Sequence, residues 1–217
     1  MSDYNLQPKT QLSVQDLREL KDGLEYQSPY QEINEDVTVM SFEQAGKHQI
    51  LKLSRVDLAP KSGFPAIDRY IKAFLPESIT VLGAEASVGK TTFAANVAAN
   101  IASKQQKKVL FFSLESGYSI NTIIASYLEN KTEAELAPED LKQDIPNLRI
   151  VAPTGQISLS DIEKTALIEL PEIIIVDHIH YLIHSGDNLA GNIANTVRGL
   201  NMLARRLKTH IIVISHM

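Results

Sequence analysis

From residue 61 onward, five short apolar runs alternate with longer stretches of helical pattern, and this alternation restricts the fold more than any other feature. The runs are ITVLG (79–83), VLFFSL (109–114), LRIVA (148–152), IIIVD (173–177) and IIVIS (211–215). They are β-branched and nearly continuous in apolar character, as parallel strands buried on both faces must be. Between them stand TTFAANVAANIASK, SINTIIASYLEN, SLSDIEKTALIEL and NTVRGLNMLARRLK. Such alternation predicts a three-layer α/β sandwich with a mainly parallel sheet. Ligands of these folds collect at the carboxyl ends of the strands.

The 217 residues suffice for one sizeable core, which places a domain over 61–217 behind an N-terminal extension, 1–60. Ser13 and Asp16 resemble a capping box ahead of a short helix, VQDLRELKDGL. YQSPYQEINED is polar and turn-rich and reads as a linker. VTVMSF and HQILKL alternate well enough to predict two short strands, a hairpin joined around Gly46. The extension carries no motif with readable chemistry. Its expected use is packing or the docking of a protein partner.

GAEASVGKTTF (83–93) follows the first strand of the domain and opens its first helix, the context that makes a phosphate-binding loop meaningful. The residues Ala84, Glu85, Ala86, Ser87, Val88, Gly89, Lys90, Thr91 and Thr92 are the expected nucleotide-binding set. Their successive N–H groups can wrap phosphates at the positive end of the helix. Ala84 needs only to be small, whereas Gly89 stands where a side chain would collide with phosphate. Lys90 would reach the β- and γ-phosphates and Thr91 would offer its hydroxyl to Mg²⁺. Asp177, ending IIIVD, has the place of the carboxylate that holds the same ion.

The water-activating carboxylate does not directly follow Asp177, because His178 stands there. Glu115 ends the next strand after the loop's helix and opens onto the same crevice, so it is the expected catalytic base beside Lys90. Ser215 and His216 end one more buried strand. If that strand lies between those of the loop and of Asp177, His216 can sense the γ-phosphate. His178, His180 and His184 lack the spacing and the second ligand cluster of a zinc site. His180 is instead expected as a polar group near the nucleotide. Arg198, Arg205, Arg206 and Lys208 read as the solvated face of an amphipathic helix with Val197, Leu200, Leu203, Ala204 and Leu207 as its apolar stripe. SGDNLAGNIAN (185–195), polar and glycine-bearing, is the expected mobile loop for any DNA contact, through Asn188, Gly191 and Asn192. It holds no Lys or Arg for phosphate.

The formal charge of −5 argues against coating nucleic acid through bulk positive charge and leaves room for a local basic channel. No cysteine is present, which excludes disulfides and thiolate metal sites and suits a reducing cytoplasm. No secretory pattern opens the chain and no apolar stretch approaches membrane-spanning length. A cytoplasmic location without membrane partners is expected.

Five segments in the same order give the chain a family resemblance. GFPAIDRYI, AEASVGKTTFAANVA, LFFSLES, NLRIVAPTGQISLSDI and IIIVDHIHYL, followed by RGLNMLARRLKTHIIVISHM, resemble the C-terminal RecA-like motor domain of DnaB-type replicative helicases from about Ser62 to Met217. The resemblance implies a RecA-like P-loop NTPase fold, ATP and Mg²⁺ as ligands, and Glu115 as the catalytic glutamate. It also implies a hexameric ring acting on single-stranded DNA in replication or repair. His180 stands where the family commonly has glutamine, and His216 at its sensor glutamine. Segment 1–60 does not look like the family's primase-interacting domain, and the family's arginine finger and a DNA-binding loop are expected to fall beyond Met217. The partition ATPases share the GKTT helix but carry a second lysine where this chain has Glu85, and aspartate where it has Glu115. RadA- and KaiC-like relatives keep nearly the same constellation. A nucleotide-switched binding module, acting through a protein partner at 1–60, is the alternative to a DNA motor.

Overall fold

The computed structural model describes residues 32–34, 37–38, 40–54, 56–182 and 189–216. The chain divides into two compact units, Met1–Leu58 and Ala59–Met217. In the first, β1 (Glu32–Asn34) pairs antiparallel with β2 (Val37–Thr38), and α1 (Phe42–Ser54) follows. The expected helix VQDLRELKDGL lies outside the described residues. The expected hairpin around Gly46 is corrected: Gly46 and HQILKL are inside α1, and β2 pairs with a segment read as linker. The cause is a helix start signal at Ser41, five residues ahead of the glycine. Ser41 N–H donates to Gln44 Oε1 at 2.7 Å, and Gln44 N–H donates to Ser41 Oγ at 3.2 Å, a reciprocal cap that begins a helix at Phe42. Lys47 and Glu43 then pair one turn apart at 2.7 Å.

In the second unit the five predicted strands form one parallel sheet. In chain order they are β3 (Ser78–Ala84), β4 (Val109–Ser113), β5 (Leu148–Val151), β6 (Ile173–Asp177) and β7 (His210–His216). Their spatial order is β3-β7-β6-β4-β5. β4 and β6 are buried at every residue, whereas β3 and β5 at the edges are only partly covered. A short helix α2 (Pro65–Ile71) precedes β3.

Strand alternation divides the core in two. Val109, Phe111, Ile173, Ile175, Ile212 and Ile214 pack with α3 (Lys90–Ala99) and α4 (Ile120–Glu129). Leu110, Phe112, Ile174, Val176, Ile211 and Val213 pack with α5 (Leu159–Glu169) and α6 (Leu189–Leu207) on the other face. Each fully buried Ile or Phe contributes about 2 kcal/mol by area removed from water, so the central strands carry much of the stability. Among the described residues, no helix is long and apolar enough to cross a membrane.

Two departures from the expected elements have local causes. α3 ends in a π-helical turn, Asn100–Lys104, with Gln105 N–H donating to Asn100 O. Asn100 is buried there, donating Nδ2–H to Ser62 O at 3.1 Å and accepting from the Tyr127 hydroxyl at 2.9 Å. Asp68 of α2 in turn accepts from the Ser62 hydroxyl at 2.7 Å, and from the N–H groups of Ser62 and Gly63. The GFPAIDRYI segment is thus tied to the far end of α3. The second departure is α6, which begins at Leu189 and takes in most of the stretch expected as a mobile loop. Leu189, Ile193, Val197 and Leu200 recur at helical spacing, and the Thr196 hydroxyl donates to Asn192 O at 2.9 Å. Gly191 and Asn192 therefore stand on a helix; Asn188 and His184 lie outside the described residues.

Candidate nucleotide site

The carboxyl ends of β3, β7, β6 and β4 lie side by side. Ala84, last in β3, pairs with the backbone of His216, and Ser113, last in β4, pairs with Asp177. β7 lies between the strands of the loop and of Asp177, the position on which the reading of His216 as a sensor depended. From Ala84 the chain runs through an exposed loop, Glu85–Gly89, into α3. Ser87 (φ 62°) and Gly89 (φ 91°) are left-handed, which turns consecutive N–H groups toward one concavity. A Cβ built at Gly89 would meet nothing within 4 Å, so the glycine is needed for its backbone angle and leaves open space beside the loop.

Lys90 opens α3 and is buried; its ammonium donates to Glu85 O at 2.5 Å. No acidic side chain stands in the first turn of α3. A buried cation at the positive end of a helix adds charge to charge. The loop N–H groups, the helix end and the Lys90 ammonium present donors and positive charge toward one concavity, so the residues fit a polyphosphate. Thr91, next in the helix, donates its hydroxyl to Asp177 Oδ1 at 3.0 Å. Asp177 is fully buried, and a buried carboxylate beside a hydroxyl suits a hard divalent cation with oxygen ligands. Thr92 is exposed.

Glu115 lies two residues beyond β4, half exposed, with Oε2 3.7 Å from Nε2 of His178. His178 takes a left-handed backbone (φ 77°) immediately after Asp177; strained conformations of this kind gather at functional sites. The His178 ring lies 5.2 Å from that of His180 and 5.1 Å from that of Tyr181. His180 sits in the short turn Ile179–Leu182 and lines a cleft of about 430 Å³ with Leu114, Tyr181 and Thr154–Ile157. Lys90, Thr91 and Asp177 are thus brought together directly, and Glu115 joins them through His178. Gly191 and Asn192 belong to α6, which packs on the opposite face of the sheet from α3.

A family model, the DnaB-like helicase C-terminal domain, matches residues 60–217. The chain belongs to the DnaB-like helicase C-terminal domain family. It is 29% identical over 178 residues to the replicative DNA helicase DnaB of Geobacillus stearothermophilus, covering 72% of this chain and 39% of that protein. It is 28% identical over 177 residues to the replicative DNA helicase DnaC of Bacillus subtilis, with the same coverage. The chain therefore spans about two fifths of the length of these curated relatives. Among solved structures, an isolated ATPase domain aligns with a TM-score of 0.60 at 24% identity, covering 82% of this chain and 72% of that one. A DnaB-like replicative helicase solved with regard to its interactions with primase aligns at 0.58 and 22% identity, covering 81% and 52%. These two establish the RecA-like fold.

Several structural residues of this DnaB-like domain escaped sequence reasoning. Asn100 had a readable signal, a polar residue on a helix whose neighbours Val97, Ala98, Ala99 and Ile101 are all buried. His178 did not, because its backbone angle has no counterpart in residue type. His210 is buried at the start of β7; its Nδ1 lies 2.8 Å from Leu75 O and its Nε2 3.0 Å from the Thr80 hydroxyl. The carbonyl can only accept, so Nδ1–H donates to it.

Proposed function

We propose that residues 59–217 bind ATP with Mg²⁺ and hydrolyse it, with turnover coupled to single-stranded DNA in a homo-oligomeric ring. The observation that carries this is the 3.0 Å contact between Thr91 and Asp177, which joins the loop to a strand end 86 residues away. Lys90 and the N–H groups of residues 84–92 hold the phosphates; Thr91 and Asp177 hold the ion. Mg²⁺ supplies neutralisation of the charge that develops on the β- and γ-phosphate oxygens. Glu115 orients the attacking water and accepts its proton at a carboxylate oxygen, and the contact with His178 steadies that side chain. His180 and His216 serve as polar sensors of the phosphate, Asn188, Gly191 and Asn192 as weak DNA contacts, and residues 1–60 as a docking segment for a protein partner.

A second reading, a nucleotide-switched module without helicase action, is favoured by the net charge of −5 and by the lack of Lys or Arg over 185–195. ATP turnover with and without single-stranded DNA, with Lys90→Ala as the blank, separates the two. Turnover that rises several-fold with DNA and vanishes in the variant supports the motor. Nucleotide binding with DNA-independent turnover supports the switch, and wild-type turnover equal to that of Lys90→Ala refutes hydrolysis at this site.

A further inference from the structure

One buried hydroxyl beside Asp177 has no part in the roles above. Ser113 ends β4, is 1% exposed, and its Oγ has no hydrogen-bond partner among the described residues. Register places it directly alongside Asp177 of β6. Alternation then decides which way it points. Val109 and Phe111 of β4, with Ile173 and Ile175 of β6, face α3 and α4. Leu110, Phe112, Ile174 and Val176 face the other layer. With a period of two, Ser113 and Asp177 both continue the α3 face. Thr91 reaches Asp177 on that same face.

We propose that Ser113 is a positioning residue whose Oγ hydrogen-bonds a water in the coordination shell of the divalent ion held at Thr91 and Asp177. The proposal rests on the nucleotide reading above. Neighbouring strands lie about 4.8 Å apart, and two hydrogen bonds of about 2.8 Å reach roughly that far, so one water can touch both side chains. A hydroxyl donates once and accepts twice and rotates to suit, which fits a metal-bound water held at a fixed angle. A buried hydroxyl with no partner disfavours folding, and every other residue of β4 is Val, Leu or Phe. Packing alone therefore gives serine no advantage here, whereas an ordered water shell does. By fixing that shell, Ser113 sets the ion, and with it the γ-phosphate, relative to Glu115 two residues further on.

The test compares wild type, Ser113→Ala, Ser113→Thr and Lys90→Ala by three measurements: thermal midpoint without ligand, Mn²⁺ affinity in the presence of ADP by electron paramagnetic resonance, and kcat and KM for ATP. Ser113→Ala is expected to melt no lower than wild type. It should bind Mn²⁺ about tenfold more weakly, as loss of an outer-shell partner does, and lose kcat by a similar factor with KM nearly unchanged. Ser113→Thr, which keeps the hydroxyl, should hold Mn²⁺ more tightly than the alanine variant. An alanine variant with wild-type Mn²⁺ affinity and kcat overturns the proposal. So does one that melts lower with unchanged Mn²⁺ affinity, since the hydroxyl is then structural. A wild type with no ADP-dependent Mn²⁺ binding overturns the nucleotide reading itself, and this proposal with it.

Discussion

Gly63 and Gly199 offer an added methyl group the same closest approach, 2.4 Å, with opposite expected consequences. At Gly63 the methyl would sit 2.4 Å from Asn100 Nδ2, 2.6 Å from its Cγ and 2.8 Å from its Cβ, on a backbone with φ +82°. Asn100 has nowhere to retreat, because it is 1% exposed and bonded to both Ser62 O and the Tyr127 hydroxyl. The left-handed backbone costs alanine about 1 kcal/mol, and two lost hydrogen bonds cost about 1 kcal/mol each. Gly63→Ala is therefore expected to destabilise the domain by about 3 kcal/mol. At Gly199 the methyl meets only the Leu159 Cδ1 atom, with Cγ at 3.8 Å. A rotamer shift of that side chain costs about 1 kcal/mol, which the better helix propensity of alanine in α6 offsets by about the same amount. Urea unfolding followed by far-UV circular dichroism suits a chain without tryptophan. With a slope of about 2 kcal/mol per molar, Gly63→Ala should shift the midpoint down by about 1.5 M, and Gly199→Ala hardly at all. Equal shifts for the two variants, or a Gly63→Ala midpoint unchanged from wild type, would refute the reasoning that rigidity of the neighbour decides the outcome.

Glu115→Gln should keep nucleotide binding and lower ATP turnover by about a hundredfold or more, the range for a positioned general base; a variant that turns over like wild type removes Glu115 from that role. Acid should weaken the domain through carboxyls that include Asp140 and Asp161. Hydrogen bonding from Lys131, and then from the Ala137 N–H, holds the Asp140 carboxyl below the usual carboxylate range, and the Ser158 hydroxyl and N–H do the same for Asp161. A carboxyl depressed in the folded state stabilises it above the unfolded value of about 4, and that contribution is lost as pH falls through the folded value. The thermal midpoint should thus drop as pH falls below about 5, and Asp140→Asn should flatten the drop; an unchanged pH profile in the variant contradicts the assignment.

How much of this molecule was legible in residue order depended on where each constraint originates. β4 and β6 are buried on both faces, so VLFFS and IIIVD carry their burial as unbroken apolar runs, and the predicted bounds are met within a residue. The loop was legible for a different reason: Gly89, Lys90 and Thr91 are consecutive, and one helix start positions them all. Where two local signals competed, the reading failed. HQILKL alternates like a strand, yet Ser41 and Gln44 had already begun a helix upstream; LAGNIAN has loop composition, yet its apolar residues keep helical spacing into α6.

The remaining class has no local signal at all. Ser113 in an apolar strand looks like a weak core residue until register sets it beside Asp177. Glu115 could be read as an acid at a strand end, but its neighbour could not: the backbone of His178 turns a ring to within 3.7 Å of it. Both facts belong to the pairing of β4 with β6, strands whose ends are 64 residues apart in the chain (Ser113 to Asp177). Motifs therefore name the residue types of this site, while adjacency is created by the sheet. A variant that shifts the β4–β6 register by one residue would turn Ser113 away from the α3 face while leaving every motif intact. By this logic, it would weaken ion binding by about the tenfold expected of Ser113→Ala before it abolished the fold.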